Sequence, residues 1–190
     1  VCHSIRENGV EIPLIFMGYY NPILSYGVVN FARDAAEAGA DGVIVPDLPP
    51  EESEDLLKEL KLHQLSLISM VAPTSTNERI ALACSQADSF IYCVSVAGVT
   101  GARKDITDGL FEFLDRVRNH TNLPLAVGFG ISNRGHVTTV GSQAEAVIVG
   151  SKLIDVLDSA EPSQRARDAG AFLASLTGND AKLPNKEGDQ

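Results

Sequence analysis

The chain has 190 residues, a formal charge of −10, and 44% hydrophobic against 21% charged residues, a makeup that fits one globular domain. The acidic balance argues against nucleic acid or an anionic membrane as the main partner, because both repel such a surface. No apolar run approaches the roughly 20 residues of a membrane span.

The first residues, "VCHSIRENGVEIPLIF", lack the pattern of a signal peptide and read as the end of a helix. They raise the expectation of a missing N-terminal portion. Six short apolar runs then read as buried strands: "PLIFMGYY" (13–20), "DGVIVPD" (41–47), "SLISMVAP" (66–73), "SFIYCVSV" (89–96), "PLAVGFGI" (124–131) and "AEAVIVGS" (144–151). They lack period-two alternation, as expected of parallel strands covered on both faces.

Amphipathic helices lie between the runs. Val28, Phe31, Ala32 and Ala35 fall on one stripe, and Leu110, Phe113, Leu114 and Val117 on another. Ser75 with Glu78 fits a capping box just after Pro73. Near the end a helix is expected from about Pro162 to Leu176, with Ala166, Ala169, Phe172 and Leu173 packing on the body. After Gly178, "NDAKLPNKEGDQ" carries no apolar periodicity, so the sequence predicts a folded domain over 1–178 and a disordered polar tail over 179–190.

Cys84 in a helical pattern and Cys93 in a strand read as buried free thiols in a reducing compartment, and Cys2 has no partner at metal spacing. His3, His63, His120 and His136 are scattered over helices or their ends and read as surface residues, so no metal site is expected.

Repeated βα units with parallel strands allow an open doubly wound sheet or a closed eight-stranded barrel. No GxGxxG opens the first unit, which weakens the dinucleotide fold. Six units behind an incomplete front fit an α/β TIM (β/α)8 barrel, with about six of its eight βα units in this chain.

In either architecture ligands bind at the C-terminal ends of the strands. Three glycine-containing turns stand there: Gly101 in "AGVTGARKD", Gly128 and Gly130 in "GFGIS", and Gly150 with Ser151 in "VGSKLID". Glycine lets a backbone approach a ligand closely, and a helix N-terminus beyond it offers unpaired N–H groups. The set suits a phosphate dianion, with Ser132 expected to cap the helix after Gly130. Tyr19, Tyr20 and Asn21 end the first run and Tyr92 lies in the fourth, where they can stack on a flat substrate or close the barrel structurally. Asp47 ends "VIVPD" and is either a general base or a turn cap, the cap being the simpler reading. "EESEDLLKELK" is most simply the solvated face of a helix.

Five motifs, "GYYNPILSYG", "VPDLPPEES", "SVAGVTGAR", "VGFGIS" and "VIVGS", occur in this order, and from near Ile12 to about Leu176 the chain resembles the tryptophan synthase alpha chain family. The resemblance implies a TIM barrel that cleaves indole-3-glycerol phosphate to indole and glyceraldehyde 3-phosphate, a retro-aldol lyase reaction of tryptophan biosynthesis. It implies phosphate held by backbone amides at Gly101, Gly130, Gly150 and Ser151 with Phe129 close by, a pocket lined by Tyr19 and Tyr92, and Thr100 in a mobile loop that closes over the substrate. It implies no cofactor in this subunit, pyridoxal phosphate belonging to a partner beta subunit in an alpha2-beta2 assembly. A cytoplasmic setting, or a plastid stroma, goes with it.

The family's catalytic glutamate and aspartate lie on the first two βα units, upstream of Val1 in this numbering. The resemblance therefore implies a chain without its own acid and base, inactive alone. Two alternatives stand beside the lyase: another phosphate-binding barrel of amino-acid biosynthesis, and a non-catalytic module that regulates the beta subunit.

Overall fold

The structure, a computed structural model, describes residues 1–94, 109–128 and 130–178. The expected mobile loop with Thr100 and Gly101 and the tail over 179–190 lie outside the described residues.

After α1 (Cys2–Glu7), the first strand β1 (Ile15–Met17) leads into α2 (Tyr20–Tyr26) and α3 (Val28–Glu37). Next come β2 (Gly42–Ile44), a 3-10 turn at Pro50–Glu52, and α4 (Glu54–Leu62). The third apolar run is divided into β3 (Ser66–Leu67) and β4 (Ser69–Val71), followed by α5 (Asn77–Gln86) and β5 (Ile91–Val94). The last part holds α6 (Leu110–Arg118), β6 (Leu125–Gly128), α7 (Arg134–Val140), β7 (Ala146–Ile148), α8 (Ser151–Ser159) and α9 (Arg165–Thr177).

Each of the six expected runs contains a strand, and every pairing is parallel. The order is sequential: β1-β2-β3 in one sheet and β4-β5-β6-β7 in the other. The two sheets share one run of chain. β3 pairs with β2, the Ile68 N–H continues that pairing by donating to Val43 O at 2.9 Å, and β4 pairs with β5 on the other side. A doubly wound sheet reverses its strand order at a switch point. Among the described strands none does, so the wall is that of a singly wound (β/α) barrel, with six of its eight strand positions filled when β3 and β4 count as one.

Register explains what the one-dimensional pattern concealed. Val71, Cys93 and Val127 are aligned across β4, β5 and β6, and all three are buried with Ile80 of α5 and Phe113, Leu114 and Val117 of α6. Their neighbours Tyr92 and Val94 are only half-buried. Burial thus alternates along β5 although hydropathy does not. A second cluster joins Val43, Val45 and Leu67 to Ala32 and Ala35 of α3 and Leu56 and Leu60 of α4. Both cores lie between sheet and helices, and each fully buried Leu or Val contributes about 1.5–3 kcal/mol. Cys84 and Cys93 are buried free thiols as expected, and burial pushes Cys93 up to about 12.

Three helix boundaries differ from expectation. α5 is capped by Thr76, whose Oγ1 accepts from Arg79 N–H at 3.3 Å. Ser75 turns back instead, its Oγ accepting from Ala72 N–H at 3.1 Å, so the cap lies one residue later than the capping-box pattern implies. α7 is capped by Asn133, not Ser132. α9 begins at Arg165 rather than near Pro162 and buries Leu176, while Ala166 and Leu173 remain exposed. Its packed stripe runs through Ala169, Phe172 and Leu176, set by contact with α7 and α8.

Candidate functional site

At the C-terminal ends of β5, β6 and β7 lies a cavity of about 390 Å3. Its backbone floor comes from Gly128, Gly130 and Gly150. Ser151, Lys152 and Asp155 contribute from the start of α8, while Tyr92 and Ile148 give it an apolar side. The structure thereby brings together six of the residues singled out in the sequence: Tyr92, Gly128, Gly130, Ser132, Gly150 and Ser151.

Gly150 is the N-cap residue of α8, and among the described residues no side chain caps that helix. The first N–H groups of a helix have no intrahelical acceptor, so those of Ser151 and Lys152 are available at the helix end, with the positive end of the helix dipole behind them. A Cβ added at Gly150 would meet no atom of the described residues within 4 Å, so among them no packing contact requires its smallness. Gly130 has φ +32, a conformation that L residues rarely adopt.

The turn after β6 is built differently from its sequence reading. Asn133 Oδ1 accepts from His136 N–H at 3.0 Å, so α7 carries its own cap. Ser132 Oγ lies 3.5 Å from His136 Nδ1. Of the two helices that follow the glycine turns, α8 therefore presents the open end.

Tyr92 is half-buried, and burial pushes its phenol up from its ordinary value. It stays protonated and keeps a hydroxyl donor at the edge of the cavity. Tyr19 lies elsewhere. It is 66% exposed and lines a second cavity, also about 390 Å3, with Phe16, Met17, Pro22 and Tyr26. Thr100, Gly101 and Phe129 lie outside the described residues.

Loops of the same rim are fastened to one another. Asp47 Oδ1 accepts from Tyr20 N–H at 2.9 Å, so the carboxylate after β2 caps α2 of the preceding unit rather than the turn that follows it. Arg116 of α6 donates to the carbonyls of Pro73 and Ser75 at 3.1 and 2.6 Å, holding the loop after β4. These ties join residues far apart in sequence, and composition alone carries no signal of them. Lys152 had a signal: a cation in the first turn of a helix opposes the dipole.

Among the described residues, no cluster of His, Cys, Asp and Glu could hold a metal ion, and no helix is long and apolar enough to cross a membrane.

A sequentially wound parallel wall with a glycine-floored cavity on its C-terminal rim defines a (β/α)-barrel protein, a class whose sites lie at that rim. The family model of the tryptophan synthase alpha chain matches residues 1–179. The alpha chain of Roseiflexus castenholzii is 51% identical over 174 residues, covering 92% of this chain and 67% of that protein. Among solved structures, the tryptophan synthase complex of Pyrococcus furiosus superposes with a TM-score of 0.84 at 27% identity, over 93% of this chain and 70% of that one. The alpha chain of Legionella pneumophila does so with a TM-score of 0.82 at 34% identity, over 94% and 66%. The chain belongs to the tryptophan synthase alpha chain family, lyases of tryptophan biosynthesis. It spans about two thirds of the length of the relatives it matches.

Proposed function

We propose that the chain carries the phosphate-holding part of a site that cleaves indole-3-glycerol phosphate to indole and glyceraldehyde 3-phosphate. The observation that carries this reading is the uncapped N-terminus of α8, which opens with Gly150 and Ser151 into the cavity shared with Tyr92, Gly128 and Gly130. Helix N-terminal N–H groups bind phosphate through direct hydrogen bonds and the dipole together. Tyr92 provides an aromatic wall beside that anchor. Thr100, Gly101 and Phe129 join the site by family resemblance, as do Tyr19 and the closing loop.

Cleaving the indole C3 to glycerol bond calls for a proton delivered to C3, support for charge developing at the indole N–H, and removal of a proton from a glycerol hydroxyl. Asp155 is the carboxylate among the residues that line the cavity, and it is paired with Lys152. The cavity therefore contributes binding and orientation, which convert a loose encounter into a fixed geometry. The proton transfers are assigned to the glutamate and aspartate that the family resemblance places outside this sequence. Pyridoxal phosphate is assigned to a partner beta subunit, and the setting to the cytoplasm or a plastid stroma.

The test is a pair of assays on the 190-residue chain: binding of glycerol 3-phosphate, and release of indole from indole-3-glycerol phosphate. Binding without turnover is the expected result. Absence of phosphate binding overturns the site assignment, and turnover by the chain overturns the assignment of acid and base elsewhere.

A further inference from the structure

We propose that Lys152 is a further binding residue for the phosphate monoester, with Asp155 as its internal competitor. The inference rests on the phosphate reading of the cavity and adds to it a charged side chain from α8.

Lys152 is the second residue of α8 and lines the cavity with Gly150 and Ser151. On electrostatic grounds this is a poor position for a cation, because the N-terminus of a helix is already positive. The same helix has no acidic residue in its first turn and no side-chain cap. α5, in contrast, has both, Glu78 and Thr76. Uncapped N–H groups and a misplaced cation each cost stability in the protein alone. A dianion at the helix end reverses both terms. Local rules broken without internal compensation mark functional positions, and here the cavity supplies the place for the compensating charge.

The partner that Lys152 has in the structure is weak. Its Nζ lies 3.7 Å from Asp155 Oδ2, with side chains 46% and 65% exposed, so the pair is solvated and readily exchanged. Asp155 lies in the same cavity and repels an incoming dianion. Lys152 thus acts twice: it neutralises Asp155 and then turns its ammonium to the phosphate oxygens. A charge-assisted contact of this kind is stronger than a neutral one.

The test measures the affinity of the 190-residue chain for inorganic phosphate and for glycerol 3-phosphate, by calorimetry at fixed ionic strength. Lys152→Ala is expected to weaken both about five-fold, the scale of one partly exposed charge contact, and Lys152→Arg to stay within about two-fold. Asp155→Asn is expected to tighten binding, and the double variant Lys152→Ala/Asp155→Asn to fall between. Thermal unfolding adds a readout that a merely structural lysine would not produce. Without phosphate, Lys152→Ala melts no lower than wild type, since it loses a cation opposed by the dipole. With phosphate, wild type gains more stability than the variant. If wild type binds and Lys152→Ala binds equally well, Lys152 is only a solvated residue and the phosphate site stands without it. If wild type binds neither probe, both this inference and the phosphate reading fail.

Discussion

The ring of Tyr92 lies directly against Gly128: a Cβ built on that glycine would stand 2.7 Å from Cε1 and 2.8 Å from Cζ, and closer still to the hydroxyl oxygen. Tyr92 pairs with Ala126 and Val94 with Gly128, so the ring leans along the strand onto the position two residues beyond its own partner on the adjacent strand. The glycine at the end of β6 thus has a packing reason beside its place in the cavity. Gly128→Ala is expected to displace the ring and destabilise the chain by about 1–3 kcal/mol, the usual cost of overpacking. In a Tyr92→Ala background, itself less stable through lost ring packing, Gly128→Ala should add little further loss in urea unfolding. Equal stability of Gly128→Ala and wild type would contradict the contact.

Gly150 differs from Gly128, because a Cβ there meets no atom of the described residues within 4 Å. Gly150→Asp should leave the fold intact while placing a carboxylate at the open end of α8. Phosphate binding should weaken at least ten-fold, about 1.4 kcal/mol or more from charge repulsion and lost close approach. Unchanged affinity removes Gly150 from the site.

Much of the architecture was legible because parallel strands announce themselves as bounded apolar runs, and all six expected runs contain strands. The stripes on α3 and α6 were equally readable, with Phe113, Leu114 and Val117 almost wholly buried. What stayed hidden depends on register or on long-range polar ties. The break at Ile68 arises where one run changes partners from β2 to β5. The shift from Ser75 to Thr76 turns on which hydroxyl faces the helix end. Likewise, the cap expected at Ser132 falls one residue later, on Asn133, because the choice depends on which side chain faces the His136 N–H. Tyr19 and Tyr92 both end or occupy strands, yet they line different cavities.

Arg116 connects helix to rim loop. Its guanidinium also donates to Asn77 Oδ1 at 3.2 Å, so one side chain holds both the loop after β4 and the start of α5. Arg116→Ala should cost about 1–3 kcal/mol by leaving carbonyls without a donor. Amide hydrogen exchange should quicken over residues 72–79 ahead of the rest of the chain. Uniform exchange behaviour in the two proteins would show that the loop holds its shape without the arginine.

Glu145 gives the chain a pH dependence of known sign. Its carboxylate accepts from Leu125 N–H at 2.7 Å and from Arg118 Nη2 at 2.8 Å. The backbone hydrogen bond first, and the arginine second, hold its carboxyl below the ordinary value. A carboxyl lowered in the folded state stabilises the fold above the unfolded-chain value of about 4.3, and that stabilisation fades as pH falls through the folded value. Glu145→Gln should therefore be less stable than wild type at pH 7 and lose less on acidification to about pH 3. Parallel stability curves from pH 7 to about pH 3 would refute the coupling.

The most direct test of the account is the response of backbone amides to glycerol 3-phosphate, followed by nuclear magnetic resonance on the 15N-labelled chain. The largest shifts should fall on Gly130, Gly150, Ser151 and Lys152, saturate with ligand, and vanish in Gly150→Asp. Shifts that scatter over the surface, or that gather around Tyr19 and the cavity beside β1 instead, would contradict a phosphate site at the head of α8.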